Sequence, residues 1–339
     1  MDIYSTAYLN GLVDNLKRPQ AFLLNRFFPM VVQSEAEEIK FDVAEGKRRI
    51  SPFVSPLVQG KLVESLGYKT STFKPAYVKD KRVIDPNKPL KRAAGEAIGG
   101  VLSAANREQA ILTMEVADQT EMLTRRLEVM AAEALRTGKV TVSGEGYDTV
   151  VVDFGRNPTH TETLGSGSKW GETNVDPLED IEDRALVVLK NSGAQVTDVI
   201  MGVDAWRQFR AADKVKDQLD VRRMGTANSV DGVIAPVPGA VYQGRIGQYN
   251  FWTYSDWYID DSGNEVALWP SDGVLLASEQ VEGARHFGAI RDPKAGYQAR
   301  EIFTKSWITE DPAVRYLMAQ SAPLVVPYRP DATYFMDVL

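Results

Sequence analysis

The sequence predicts an α+β protein, because one very long amphipathic helix and a second, capped helix are interspersed with short β-rich stretches. The long helix is predicted over residues 101–137, where neither glycine nor proline occurs. Its apolar residues recur at spacings of three, four and seven: Leu112, Val116, Leu123, Leu127, Met130 and Ala134. Such a helix would be roughly 50 Å long, and Gly138 is placed to end it in a left-handed conformation.

The first 45 residues predict an aromatic cluster followed by a strand. The stretch AFLLNRFFPM contains Phe27 and Phe28, which are equally well explained by burial in the same subunit or against a neighbour. In IKFDVAEG, Ile39, Phe41 and Val43 alternate with polar residues and so share one face of a strand.

Residues 53–86, FVSPLVQGKLVESLGYKTSTFKPAYVKDKRVIDP, are rich in β-forming residues but have no continuous apolar face. Prolines at 52, 56, 75, 86 and 89, with Gly60 and Gly67, divide the strand-like pieces. We interpret the region as a long two-stranded hairpin that turns near Gly67. Because an isolated pair of strands is at best marginally stable in water, we expect this hairpin to lean on another chain.

The later elements follow from turn and capping signals. VTVSGEGYDTVVVDFG predicts a hairpin that turns at residues 144–146. A second helix is predicted from Asp176 as N-cap, with Pro177 in its first turn and Glu179 at the capping-box position, to Gly193. VTDVIMG predicts a strand and VDAWRQFRAADKVKDQL a helix. YNFWTYS and GVLLAS predict short strands, and three prolines interrupt the strands of the C-terminal run.

Composition excludes several classes of site. The 339 residues include no cysteine, which excludes disulfides, thiolate metal sites and a cysteine nucleophile. A formal net charge of −7 argues against direct readout of nucleic acid. No apolar run approaches 18 residues and the start lacks a signal-peptide pattern, so we expect no membrane partner and a protein kept in a cytoplasm.

The sequence predicts no catalytic residue, no cofactor and no metal site. His160 and His286 are each expected to be a polar side chain in a loop or strand. The acidic cluster between Glu172 and Asp183 allows paired carboxylates or Ca²⁺ binding, but acidic residues in the first turn of a helix are the favoured interpretation. No phosphate-binding glycine motif and no G-x-S-x-G elbow is present.

Basic residues flank the predicted hairpin on both sides: Lys47, Arg48, Arg49, Lys79, Lys81, Arg82, Lys91 and Arg92. Three interpretations stay open for them. They contact phosphate, they form salt bridges with acidic neighbours, or they are a solvated base of the hairpin.

Taken together, the quoted residues 53–86, VTVSGEGYDTVVVDFGRN and DPAVRYLMAQSAPLVV resemble, in order and spacing, the major capsid protein E family of tailed phages, the lambda-type shell proteins. The resemblance covers nearly the whole chain. It implies the Hong Kong 97-type phage capsid fold. It also implies an N-terminal arm (1–46), an extended loop (47–92), a peripheral domain (93–174 and 300–339) with a spine helix at about 101–137, and an axial domain (175–299).

The resemblance further implies a structural major capsid protein, not an enzyme, whose copies form pentamers and hexamers of an icosahedral shell. Scaffolding protein, portal and, in some relatives, a decoration protein are the implied partners, and double-stranded DNA is enclosed without sequence readout. The implied location is the virion capsid, assembled in the host cytoplasm.

We expect the extended loop and the arm to supply the contacts between subunits, so that a neighbour covers the hairpin. The residues predicted for these contacts are Phe27, Phe28, Arg48, Arg49, Phe53, Val54, Leu62, Gly67, Tyr68, Phe73, Tyr77 and Lys79.

Two alternatives stay open. One is an encapsulin-like cargo shell or a domesticated prophage shell. The other is a carboxylate-dependent hydrolase that uses the acidic cluster at 172–183.

Overall fold

A computed structural model describes most of the chain. The described residues are 3–16, 20–36, 38–44, 50–60, 62, 68–85, 103–216, 237, 239–260, 262–310 and 314–339. Their five α-helices are α1 (Thr6–Asn15), α2 (Phe22–Phe27), α3 (Ala104–Thr137), α4 (Pro177–Ser192) and α5 (Val203–Ala211).

The same residues contain eighteen strands. In the first half of the chain these are β1 (Met30–Gln33), β2 (Ile39–Ala44), β3 (Tyr68–Phe73), β4 (Val78–Ile84), β5 (Lys139–Gly144), β6 (Tyr147–Asp153) and β7 (Thr161–Thr163). In the second half they are β8 (Asp198–Met201), β9 (Ala240–Ile246), β10 (Tyr249–Tyr254), β11 (Trp257–Ile259), β12 (Glu265–Ala267), β13 (Gly273–Ala277), β14 (Gly283–Phe287), β15 (Phe303–Thr309), β16 (Val314–Ser321), β17 (Pro323–Pro327) and β18 (Thr333–Asp337).

The predicted long helix is confirmed as α3. It begins after Ser103, whose side chain accepts a hydrogen bond from the Asn106 N–H, and it ends at Gly138. Gly138 has φ +70°, the left-handed conformation that glycine adopts without steric cost. The first two residues of the predicted helix, 101 and 102, lie outside the described residues.

Helix α4 also has the predicted ends. The Asp176 side chain accepts from the Leu178 N–H, Pro177 is the first helical residue, and Gly193 closes the helix at φ +73°. The hairpin predicted around residues 144–146 is the β5–β6 pair.

The described strands form one large sheet, two smaller ones and three hairpins. The large sheet has the order β7-β18-β13-β8-β10-β9, and the smaller sheets are β1-β14-β17 and β15-β16-β4. The pairs β2–β3, β5–β6 and β11–β12 complete the set. The large sheet takes β7 and β18 from outside residues 175–299, so strand pairing crosses the predicted boundary of the axial domain.

The predicted pairing of the hairpin at 53–86 is wrong. Strand β3 pairs antiparallel with β2, from Ile39 opposite Phe73 to Ala44 opposite Tyr68, and β4 pairs with β16. The residues that precede β3 lack an apolar face. Strand β2 offers Ile39, Phe41 and Val43, which share one face as predicted and are all buried. The predicted turn residue, Gly67, lies outside the described residues.

Helix α3 is the centre of the main core. Its apolar face, including Leu127, Met130 and Leu135, packs in one cluster with α2, the β2–β3 pair and β17. A second cluster lies between the large sheet and helices α4 and α5. The arm and the base of the β2–β3 hairpin therefore belong to the core of their own chain.

A buried carboxylate joins three of these elements. Glu128 of α3 is only 3% exposed, and its side chain accepts hydrogen bonds from the N–H groups of Leu23 and Leu24 at 2.8 Å each and from the Tyr254 hydroxyl at 2.9 Å. Helix α2 starts after Ala21, which provides no side-chain cap, so Glu128 caps α2 from another helix. Burial raises the pKa of Glu128, and the bonds from Leu23 and Leu24 oppose this effect in part.

Both histidines are buried. His286, on β14, is 2% exposed and shares a 2.9 Å hydrogen bond between its Nε2 and the Tyr328 hydroxyl. Burial lowers the pKa of His286 to about 4. His160 lies in a short 3₁₀ helix (Pro158–His160), and burial lowers its pKa as well.

Replacing Glu128 by alanine should lower the free energy of unfolding by about 3 kcal/mol, because it leaves three buried donors without an acceptor. Urea unfolding of the unassembled protein measures this loss. The control is Glu121→Ala on the exposed face of the same helix, which should change stability by less than about 0.5 kcal/mol. Equal losses in the two variants would contradict the capping role.

His286 should make the protein less stable in mild acid. The folded-state pKa of His286 lies below the unfolded value of about 6.5. The stability that the neutral side chain contributes is therefore fully present above pH 6.5 and is lost as the pH falls toward 4. The expected loss between pH 7.5 and pH 5 is about 2 kcal/mol in urea unfolding. His286→Gln should remove this part of the pH dependence, whereas Tyr328→Phe should retain it. An unchanged pH dependence in His286→Gln would refute the assignment.

Candidate assembly surface

The described part of the predicted extended loop exposes large apolar side chains. Phe53 is 103% exposed, Leu57 97% and Leu62 96%, and Ile50 is 89% exposed. Val54 and Val58 are exposed as well. Soluble monomers rarely expose such a continuous apolar group, and a group of this kind marks an interaction surface. We call residues 50–60 and 62 the exposed segment.

Among the described residues, few backbone groups of the exposed segment have a hydrogen-bond partner. Residues 50–60 form no strand, and the one backbone-to-backbone hydrogen bond found there among the described residues joins the Val58 N–H to the Ser55 carbonyl at 3.0 Å. Pro52 and Pro56 have no N–H to donate. The segment therefore has both apolar side chains and peptide groups to offer to another molecule.

Three of the predicted contact residues are buried inside their own chain, which corrects their assignment. Phe27 is 1% exposed, Phe28 0% and Phe73 6%. Phe28 lies so close to Gly283 that a Cβ at this glycine would come within 2.3 Å of the ring. Packing against α3 and β14 thus settles the burial of the arm in favour of the same subunit, so these rings offer no surface to a neighbour.

The remaining predicted contact residues that the structure describes lie in β3, in β4 or between them. Tyr68 begins β3. The Tyr77 hydroxyl donates to the Ala289 carbonyl at 2.6 Å, which anchors the ring to its own chain. Lys79 is exposed, and its Nζ lies 5.3 Å from the centre of the Tyr77 ring.

The basic residues that flank the predicted hairpin make different kinds of contact. Arg82 forms salt bridges with Asp80 (3.0 Å), Glu115 (2.9 Å) and Asp118 (2.6 Å), whereas Lys81 lies over the Tyr316 ring at 4.1 Å. Burial lowers the pKa of Arg82, but the acidic partners outweigh it and raise the pKa above its ordinary value. The salt-bridge interpretation is confirmed for Arg82. The other predicted residues here, namely Lys47, Arg48, Arg49, Gly67, Lys91 and Arg92, lie outside the described residues.

The acidic cluster is held by helix-end contacts. Asp176 caps α4 and lies 2.5 Å from the Nζ of Lys214, while Asp180 accepts from the Trp170 indole N–H at 3.0 Å and from Arg184 at 2.9 Å. These contacts favour the interpretation of the cluster as the charged first turns of a helix.

Within the described ranges, no three histidine, aspartate or glutamate side chains are grouped closely enough to hold a metal ion. None of the helices there has both the length and the apolar character needed to span a bilayer.

Sequence reasoning missed Ile50, Leu57 and Val58 as members of the exposed segment. The available signal was the repeated pairing of apolar residues between Pro52, Pro56 and Gly60, where a strand cannot continue and a core contact is hard to form.

Comparison with known proteins identifies relatives along the whole chain. The profile of the family described as phage major capsid protein E matches residues 5–338. The chain is 30% identical to the major capsid protein of Escherichia phage lambda over 339 residues, which covers 98% of each sequence. It is also 30% identical to the major capsid protein of Enterobacteria phage P21 over 343 residues, which covers 100% of each.

Solved structures share the fold. The crystal structure of a prophage capsid protein of Escherichia coli CFT073 is similar with a TM-score of 0.77 at 23% identity, covering 98% of this chain and 99% of the other. The capsid of Ralstonia phage GP4 is similar with a TM-score of 0.54 at 15% identity, covering 96% and 92%.

Shortening a side chain should lower the stability of the subunit strongly in the buried arm and hardly at all in the exposed segment. Phe28→Ala should lower the free energy of unfolding of the unassembled protein by about 3–5 kcal/mol, because it opens a cavity in the core. Phe53→Ala should change it by no more than about 0.5 kcal/mol, because this side chain is fully exposed in the single chain. Urea unfolding compares the two, and a large loss from Phe53→Ala would show that the exposed segment packs on its own chain.

Proposed function

The chain belongs to the phage major capsid protein E family and has the Hong Kong 97-type capsid fold, and we propose that its exposed segment holds neighbouring copies together in the capsid. As a major capsid protein, it builds the icosahedral shell of a tailed phage and is located in the virion capsid.

The observation that carries the proposal is the exposure of Phe53, Leu57 and Leu62, each at least 96% exposed in a chain whose arm and hairpin base are buried. At about 25 cal/mol per Å² of apolar surface, covering three such side chains favours association by several kcal/mol per contact. A contact between two different surface patches repeats around a ring, which suits pentamers and hexamers.

We infer the domain division from the same family. Residues 1–46 are the N-terminal arm, 47–92 the extended loop, 93–174 and 300–339 the peripheral domain, and 175–299 the axial domain. The 34-residue helix α3 supports the assignment of the spine. The pairing of β18 with β13 indicates that the peripheral and axial parts share a sheet.

For the contact surface, we retain Phe53, Val54, Leu62 and Lys79 of the predicted residues and add Ile50, Leu57 and Val58. Arg48, Arg49, Gly67, Tyr68 and Tyr77 stay predictions. Phe27, Phe28 and Phe73 act indirectly, because they fix the arm and the hairpin base from which the exposed segment emerges.

We propose that the shell is assembled in the host cytoplasm with a scaffolding protein and a portal, and that in some assemblies a decoration protein binds outside. The enclosed double-stranded DNA is confined without sequence readout, which agrees with the net charge of −7. A purely structural role without catalysis fits the engagement of Asp176 and Asp180 in helix α4 and its contacts. A terminase gene and a portal gene beside the coding gene would separate a phage shell from a cargo shell.

Replacing Phe53 and Leu57 together by serine should abolish closed shells while the subunit stays folded, because the contacts between copies lose their largest apolar side chains. Negative-stain microscopy and sedimentation, with and without a scaffolding protein, measure assembly. The unaltered protein should give spherical shells or rings of five or six copies.

The control is Leu186→Ser, which removes a large apolar side chain that is 62% exposed on α4, outside the exposed segment. Ordered shells of normal stability from the double serine variant would defeat the proposal. A parent protein that stays monomeric at high concentration would defeat the wider assignment.

A further inference from the structure

One face of the β15-β16-β4 sheet carries lysine and aromatic side chains. In the pairing register, Lys81 lies opposite Met318, which lies opposite Lys305. The other face of the sheet packs on α1 and α3 through Ile84 and Leu317. None of the residues on the lysine side of these three strands is acidic. We call the following set the basic face: Lys79, Lys81, Val83, Lys305, Trp307, Tyr316 and Met318.

The aromatic rings of the basic face hold the lysines in place. Trp307 and Tyr316 are stacked, with ring centres 5.5 Å apart and planes at 25°. The Lys81 Nζ lies 4.1 Å from the centre of the Tyr316 ring, and the Lys305 Nζ lies 5.6 Å from the centre of the Trp307 ring. These cation–π contacts attract the ammonium groups to the sheet. Charges positioned in this way lose less conformational freedom when they bind a partner.

Two of these lysines lack a carboxylate partner. Lys305 forms a salt bridge with Asp292, which is 5% exposed. Lys79 and Lys81 are exposed, and in the part of the chain that the structure describes neither forms a salt bridge. The whole chain has a formal net charge of −7, so this positive surface contrasts with the rest of the molecule. Electrostatic complementarity therefore indicates an anionic partner.

The spacing of the lysines suits an extended acidic peptide. Lys79 and Lys81 are two residues apart on β4, which corresponds to about 7 Å along a strand. The same distance separates alternate side chains of any second extended chain, so carboxylates at alternate positions can reach both lysines. The next residue on this side of β4 is Val83, which is 54% exposed and suits an apolar side chain.

Nucleic acid fits the basic face less well. Bases stack on free aromatic faces, whereas Lys81 and Lys305 lie over the rings of Tyr316 and Trp307. Duplex DNA carries one negative charge per roughly 1.7 Å of its axis. A chain with a net charge of −7 repels such a polyanion more strongly than it repels a short peptide with two carboxylates.

We propose that the basic face binds an extended segment of a partner protein in which two acidic residues alternate with others and an apolar residue follows at the next alternate position. The carboxylates pair with Lys79 and Lys81, and the apolar side chain covers Val83. The surface is complete within one subunit. The inference therefore goes beyond the proposed contacts between copies and does not depend on them.

Binding of a synthetic peptide to the unassembled protein tests the inference. The probe is a fluorescein-labelled peptide of threonine with glutamate at its third and fifth positions and leucine at its seventh, measured by fluorescence anisotropy. The unaltered protein should bind it, and high salt should weaken binding. Lys79→Gln combined with Lys81→Gln should weaken binding about tenfold, because both ion pairs are lost. Failure of the unaltered protein to bind the probe would overturn the inference.

The control variant removes the same charge elsewhere. Lys40→Gln combined with Lys190→Gln replaces two exposed lysines outside the basic face and should leave binding within about twofold of the unaltered protein. Equal weakening in the two double variants would show that net charge alone governs binding, and would overturn the assignment of the surface.

Two further probes test the chemistry of the partner. A peptide of the same composition with adjacent glutamates should bind about fivefold more weakly, because neighbouring side chains of an extended chain point to opposite sides. Equal binding of the two peptides would contradict the alternating pattern. A short DNA duplex that binds more tightly than the peptide, and that loses binding in Lys79→Gln with Lys81→Gln, would replace the peptide with nucleic acid and overturn the inference.

The variant with serine at both Phe53 and Leu57 separates this inference from the proposed function. As an unassembled subunit it should bind the peptide as well as the unaltered protein does, because the basic face is intact. If this variant loses its shells and the peptide binds neither protein, the proposed function stands and this inference fails.

Discussion

The packing of helix α3 against the arm is the interaction on which the rest of the structure depends. Glu128 brings the backbone of α2 and the Tyr254 side chain to one point on α3, and the surrounding apolar face holds the base of the β2–β3 hairpin and β17. Burying a carboxylate is costly unless donors surround it, and here three donors do. This arrangement joins the start, middle and end of the chain in one core.

Because the chain buries these side chains itself, neighbouring copies cannot contact them. The arm phenylalanines and the apolar face of β2 are covered by their own chain, so they are unavailable for contacts between subunits. Among the described residues, the exposed segment contains the most fully exposed large apolar side chains, and it follows β2, whose apolar face is fixed in the core. A rigid base with an apolar end is well suited to assembly, since little order is lost at the anchored residues when the copies meet.

Much of the fold could be predicted from residues that act locally. The caps Gly138, Asp176 and Gly193 and the apolar period of α3 determine helix ends and faces through neighbouring contacts alone. Strand partners could not be predicted in the same way, because β4 pairs with β16 more than 200 residues away and no local pattern encodes that choice. Burial of Phe27 and Phe28 depended on contacts with Gly283, which likewise lies more than 200 residues away in the sequence.

The central claim is that the chain completes its own core and leaves the exposed segment to be covered by another copy. Hydrogen exchange of the same protein before and after assembly tests this claim most directly. The account predicts that amides of β2 and α3 are protected in both states, whereas those of residues 50–60 exchange freely in the unassembled protein and become protected in shells. Protection of residues 50–60 that is the same in both states would contradict it.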